Sequence, residues 1–409
     1  MLTVMHNCSF ILRVDYEMTG ITIDHLVSLT VFLVAILLFA NLFLQTMNMA
    51  IIYQRNHQVA LKASDVLNSI LLSSGVPEGW GESDDDPLVF GLHQPGTGLL
   101  TLSSFSLLRL IPLQNVIDYS GTLFSNVSIA DGVSVLIPVA SYVDYPTVSR
   151  LLGIDGLYGF NVTIEPTLKV SISQVGQYPL KLKILVEGPG GVCGGTLVDC
   201  SVYYAIKSQP DPSIGSQTNA TSTDATGVAF LEFQTVDASE VYYSAIAQVH
   251  MGGLRGTGFY SSPLSQNDSY IKTFVMDYEN RTIALVHKGD FHDDPPNSAA
   301  HYNLTYILPT QNYGFRSIQV ENSTGIVHKG NPSYVQIPSF DSGILIIAYR
   351  TEGQDFGAVM MPWGVSSLGI SVNFGIDPST APWVATQLRQ VIVGQISYQV
   401  RLSLWSLTS

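Results

Sequence analysis

From Leu26 to Leu44 the chain reads LVSLTVFLVAILLFANLFL, and no charge interrupts it between His25 and Arg55. As a helix rising 1.5 Å per residue, that run spans about 28 Å, the hydrocarbon thickness of a bilayer. Ser28, Thr30 and Asn41 are polar exceptions of the kind that face a neighbouring helix. Further on, Ile52, Val59, Val66, Leu67, Ile70 and Leu71 recur at helical spacing, with Arg55, Gln58 and Lys62 between them. No Gly or Pro occurs from Ile21 to Ser74, and Gly75 and Pro77 then supply a stop. The pattern predicts one helix over 21–74, about 75–80 Å long, that leaves the membrane and carries an apolar stripe into the following domain.

After Gly75 the period shortens. Within 75–165, GWGESDDDP (79–87) reads as a polar loop, and SSFSLLRLI (103–111) and YPTVSRLLGI (145–154) as short helices. YGFNVTI (158–164) alternates as a strand. Together these predict a small α+β collar. In 166–263, LKVSISQV, LKLKILVE, VYYAIKS, GVAFLEFQ, VYYSAIAQVH and LRGTGFY are each bounded by Gly, Pro or small polar residues, as in a β-sandwich. A second strand series fills 264–409. Its end places Ile396, Tyr398, Val400, Leu402 and Leu404 on one face, and Ser397, Gln399, Arg401 and Ser403 on the other. The expected fold class is mainly β with a long N-terminal transmembrane α-helix, β-sandwich domains and the collar. The expected organisation is a leader or cytosolic segment at 1–20, the transmembrane and stalk helix at 21–74, the collar at 75–165, a sandwich at 166–263 and a second β domain at 264–409.

Charge narrows the possible partners. Of 409 residues only 12% are charged, against about 25% in ordinary soluble domains. Lys and Arg number 18 against 32 Asp and Glu, a net charge of −14. Between Ala63 and Thr167 only Arg109 and Arg150 are basic, so nucleic acid is excluded as a partner. Asn-x-Ser/Thr sequons follow the helix at Asn126, Asn161, Asn219, Asn267, Asn280, Asn303 and Asn322, and one precedes it at Asn7. They suggest an exported, glycosylated face. Cys193 and Cys200 flank GGTLVD as a hairpin disulfide would, a closure worth about 2–3 kcal/mol. The expected location is the cell membrane, crossed once, with the C-terminal domains extracellular. Long domains translocate largely regardless of the sparse flanking charge.

Gly20-Ile21-Thr22-Ile23-Asp24 ahead of an apolar helix resembles a type IV prepilin N-terminus. The resemblance implies cleavage after Gly20, a mature chain starting at Ile21, and a role for acidic Asp24 in assembly. Asp24 stands fourth after the Gly, and Met18-Thr19 precede it where the family carries a basic residue. With the sequons and the low charge, the chain most resembles archaeal surface proteins. Thr223-Asp224-Ala225-Thr226-Gly227-Val228-Ala229-Phe230, followed by Tyr243-Ser244-Ala245-Ile246-Ala247, resembles the invasin-type bacterial Ig-like domain. That resemblance makes 166–263 an Ig-like module of the spacer or adhesive kind.

GxxxxGK[ST], HExxH, GxSxG and CxxC are all absent. GPGGVCGG (188–195) has no Lys and leads into no helix, so it reads as the cysteine hairpin and not a phosphate cradle. His287, Asp290, His292, Asp293, Asp294 and His301 fall within fifteen residues and are of metal-ligating type, although Asp-Asp-Pro-Pro among them marks an exposed turn. Asp84-Asp85-Asp86 offers oxygens to Ca²⁺. The leading expectation is a non-enzymatic, cofactor-free structural or adhesive surface protein, pilin-like or part of the envelope. Its expected partners are membrane lipid, a second copy through the N-terminal helix, and a surface glycan or protein ligand. The rivals are a tethered metal-dependent enzyme and a ligand-binding receptor.

Overall fold

A computed structural model describes residues 4–407, apart from 99, 131–132, 208–210, 263–268, 291–298, 311–313 and 354; the side chains of 4–23 and 128–130 lie outside the description. The chain divides into two compact units, Met1–Leu61 and Lys62–Ser409.

The first unit is helical. Helix α1 runs Val4–Leu72, beginning well before the position the apolar pattern predicts. No Pro lies between Val4 and Thr19, and Gly20 costs a helix interior only about 1 kcal/mol. Along Leu26–Leu44 the apolar side chains are bare, with Leu37 69% and Phe39 73% exposed. Thr30 and Thr46 donate to the carbonyls of Leu26 and Leu42 at 2.7 and 2.8 Å. Their hydroxyls are therefore satisfied inside the helix, as a segment in hydrocarbon requires. One helix, Asp24–Leu72 over its described side chains, is long and apolar enough to cross a membrane.

In the second unit the end of α1 changes character. Val66, Leu67, Ile70 and Leu71 of the expected stripe are buried, together with Ala63, whereas Ile52 at its start is exposed. Gly75 takes φ +80, and a Cβ there would meet the Trp80 ring at 2.8 Å. The chain then turns back, and Leu92 N–H donates to the Ile70 carbonyl at 2.8 Å. Two short helices follow, α2 (Ser104–Leu108) and α3 (Tyr145–Leu151). Ser103 caps the first and Asp144 the second, each accepting from a backbone N–H of the opening turn.

The strands from Lys169 to Ser261 form a sandwich. One sheet has the order Ile214–Ser222, Leu197–Ile206, Val241–Met251, Leu254–Ser261, all antiparallel. The other has the order Val228–Phe233, Leu180–Gly188, Lys169–Gly176, and Gly191–Val192 also pairs with Leu180–Gly188. Alternation sets the faces. Leu180, Leu182, Ile184 and Val186 point into the core while Lys181 and Lys183 do not. From the facing sheet Val198, Cys200, Val202, Ala245, Ala247 and Val249 complete that core.

The remaining strands interleave across the sequence. Tyr158–Pro166, which precedes the sandwich, pairs with Ile396–Ser406 and Val372–Gly375, which follow it. Thr101–Leu102 joins the same five-stranded sheet beside Ala385–Val393. Val133–Pro138 lies parallel between Phe356–Trp363 and Ile271–Asp277 in an eleven-stranded sheet. The collar strands and the C-terminal strands thus share their sheets, and the sandwich is an insertion between them. The last strand keeps the expected alternation, with Ile396, Tyr398, Val400, Leu402 and Leu404 buried.

Candidate functional site

The turn that resembles the Ig-like signature closes on itself. Asp224 Oδ1 accepts from Thr226 N, Thr226 Oγ1 and Val228 N at 2.8, 2.6 and 3.0 Å. These bonds, the Thr226 hydroxyl first, hold the Asp224 carboxyl below its ordinary pKa. Gly227 takes φ +74 there, and a Cβ would lie 2.8 Å from the Val186 carbonyl. Thr223 Oγ1 donates to the Cys193 carbonyl at 2.6 Å and accepts from Thr196 N at 2.9 Å. The turn therefore pins the neighbouring Gly-rich hairpin.

That hairpin corrects the disulfide expectation. Cys193 and Cys200 are both free and buried. Cys200 sits in the middle of Leu197–Ile206, opposite Asn219 and Ala247, and is packed as an apolar side chain. Burial pushes its thiol well above the ordinary range. The hairpin is held by backbone and hydroxyl hydrogen bonds instead.

The acidic run Asp84-Asp85-Asp86 is arranged around a guanidinium, not as a Ca²⁺ loop. Arg109 follows α2 and is 1% exposed. Its Nη1 donates to the carbonyls of Trp80 (2.6 Å), Ser83 (3.2 Å) and Asp85 (2.7 Å), and its Nε to that of Ser141 (2.5 Å). Nη2 reaches Asp86 Oδ1 at 3.3 Å, and the cation lies 5.2 Å from the Trp80 ring centre. Burial lowers the Arg109 pKa from its ordinary value, and burial raises those of Glu82 and Asp84.

Of the proposed metal ligands, the described ones, His287, Asp290 and His301, do not form a metal-holding group. His287 is fully buried at the end of Thr282–His287, and its Nδ1 accepts from Gly289 N at 3.0 Å. Asp290 Oδ1 accepts from Gly330 N at 2.8 Å. His301 is exposed on Ala300–Pro309, opposite Ile326 and Arg350. His292, Asp293 and Asp294 lie outside the described residues. Among the described residues no three His, Cys, Asp or Glu side chains form a metal-holding group.

The sequon asparagines differ in setting. Asn280 and Asn322 are exposed. Asn280 Nδ2 donates to Asp277 Oδ2 at 2.7 Å, and Asn322 takes φ +59 in a turn. Asn219 is tied on both sides, donating to the Glu232 carbonyl and accepting from Ala220 N. Asn161 accepts from Thr163 Oγ1, Asn126 has a buried Oδ1, and Asn303 lines a surface cleft. Asn267 is outside the described residues. Gly20 and Ile21 lie within α1, and the Asp24 side chain is exposed on it.

Two clefts border the sandwich and the strands around it. One, of about 680 Å³, is lined by Lys169, Gln114, Asn373 and the backbone around Gly258 and Gly369. The other, of about 480 Å³, has Gln248 and Thr257 from the sandwich on one side and Thr310, Arg316 and Ser342 on another. Local pattern assigns no role to Gln248, and it marks Arg109 only as a rare basic residue. Each nevertheless left a signal: a carboxamide within the largely buried VYYSAIAQVH, and a lone Arg within the largely buried SSFSLLRLI.

No family model and no curated protein matches the chain. Among solved structures, red sea bream transglutaminase overlaps it at 9% identity and TM-score 0.18, over 66% of this chain and 40% of that one. A bacterial ice-binding adhesin overlaps at 10% identity and TM-score 0.17, over 59% of this chain and 88% of that one. Overlaps this loose carry no argument about fold or activity.

Proposed function

We propose that this is a membrane-anchored surface protein, with α1 as its anchor and the β-rich second unit as a structural or adhesive body on the outer face. The bare apolar surface of Leu26–Leu44 carries this reading. Each Leu or Phe left in water costs about 1.5–3 kcal/mol relative to burial, and a run of them is stable only in lipid or against an equally apolar partner. The low charge and the exposed sequons Asn280 and Asn322 suit an outward, glycosylated surface. In the finer form of the proposal, Gly20 is a prepilin-type cleavage position, and Asp24 and the helix then serve self-association into a filament.

The test begins with membranes from cells making the full chain. They are washed with alkaline carbonate and extracted with detergent, and the N-terminus of the recovered protein is sequenced. Retention through carbonate and release by detergent is the expected result. A chain starting at Ile21 supports the filament form; one starting at Met1 or Met18 leaves a plain single-pass anchor. Recovery of the second unit in the carbonate supernatant, cut beyond Leu44, would identify a signal sequence and overturn the anchor.

A further inference from the structure

We propose that the cleft containing Gln248 binds a short, uncharged oligosaccharide. This deepens the adhesive reading and rests on the second unit facing outward.

The inference starts from one strand. On Val241–Met251, Ala245, Ala247 and Val249 point into the sandwich core, so Ile246 and Gln248 point the other way. That opposite face is also covered, with Ile246 fully buried and Gln248 only 7% exposed. An apolar side chain is the ordinary occupant of such a position. The carboxamide instead brings two N–H donors and an acceptor oxygen. No described residue hydrogen-bonds to it, and it opens on the cleft. Its polar atoms are not sealed off from the cleft, so their hydrogen-bonding capacity is open to whatever occupies it.

The surrounding groups indicate what that is. The side chains of Gln94, Thr101, Ser342 and Arg316 line the same cleft, and none has a hydrogen bond among the described residues. Asp341 adds a carboxylate that, among the described residues, accepts from Ser339 Oγ. Arg316 and Asp341 offset one another in charge, so neither an anionic nor a cationic ligand is favoured. Planar carboxamide, guanidinium and carboxylate groups can each bridge two adjacent hydroxyls. Leu308, Pro309 and Ile396 provide apolar contact for the C–H face of a sugar ring. At about 480 Å³ the cleft falls within the roughly 300–1,000 Å³ of small-ligand sites.

The experiment is calorimetric titration of the full chain, in a zwitterionic detergent without a sugar head group. Neutral trisaccharides of glucose, mannose and N-acetylglucosamine are the probes. The expected result is saturable millimolar or tighter binding to at least one of them. Gln248→Leu should weaken it about tenfold or more, because ligand hydroxyls then face an apolar wall. Arg316→Ala, at an exposed position, should weaken it about threefold. Gln248→Leu should unfold at about the same temperature as the parent, since it removes no side-chain hydrogen bond seen among the described residues. Absence of saturable binding to all three sugars overturns the proposal, as does undiminished binding by Gln248→Leu. The same preparations are scored for carbonate-resistant membrane retention. Retention without sugar binding refutes the cleft alone, whereas loss of retention refutes the anchor.

Discussion

Removing the Arg109 guanidinium should open the loop that follows α1. The cation is buried and donates to the carbonyls of Trp80, Ser83, Asp85 and Ser141, and to the Asp86 carboxylate. Ser83, Asp85 and Asp86 lie on the partly exposed loop, and water can replace the cation there. Trp80 and Ser141 are buried, so in Arg109→Ala their carbonyls are orphaned at about 1–3 kcal/mol each. The lost volume beneath the Trp80 ring adds a cavity cost, for a total of about 3–5 kcal/mol. Arg109→Met fills most of the volume and restores none of the hydrogen bonds, so it should recover only the cavity part. Arg109→Lys keeps the charge but not the fork, and should fall between parent and Ala. Denaturant unfolding of the full chain measures the three costs. Limited proteolysis locates them, with new cleavage expected in 83–87. A loss below about 1 kcal/mol in Arg109→Ala, with the loop still protected, would refute this account of the loop.

Three other outcomes are expected. Gly227→Ala combines φ +74 with a Cβ 2.8 Å from the Val186 carbonyl, so it should cost about 2–3 kcal/mol in thermal unfolding. A neutral effect would mean that the turn adjusts freely. Cys193 and Cys200 should resist thiol reagents in the native protein and react fully in denaturant; a peptide map showing them joined would restore the disulfide. Glu82, whose pKa burial raises, takes up protons on folding. Its contribution is therefore fully present below the unfolded value near ~4.3 and is lost as pH rises through the folded value. Glu82→Gln should gain stability over the parent at pH 7 and converge with it below pH ~4, and a constant difference across that window would contradict the assignment.

Local patterning made much of this molecule legible. The membrane-length run, the buried stripe Ala63–Leu71 and the period-two strands are properties of neighbouring residues, and neighbours set helical or extended burial. Asp224 and Gly227 likewise announce their turn, because an Asx cap and a positive φ are met within five residues. The cysteine pair departs from its expected disulfide for a related reason. Spacing alone fits a hairpin bridge, but whether two thiols meet depends on their three-dimensional placement: Cys193 lies in the turn after Gly191–Val192 and Cys200 in the middle of Leu197–Ile206, and each packs in the sandwich core as a free thiol.

What the sequence alone determined is the class of each segment: one apolar helix, two short capped helices, and strands with a defined inner face. The tertiary structure decided which segments became neighbours. Strand Tyr158–Pro166 meets Ile396–Ser406 across an inserted sandwich, and Arg109 meets carbonyls more than twenty residues away. The Gln248 cleft gathers side chains from positions 94 to 396. Pairings at such separation are selected by the burial and hydrogen bonding of the whole assembly, which no local period encodes.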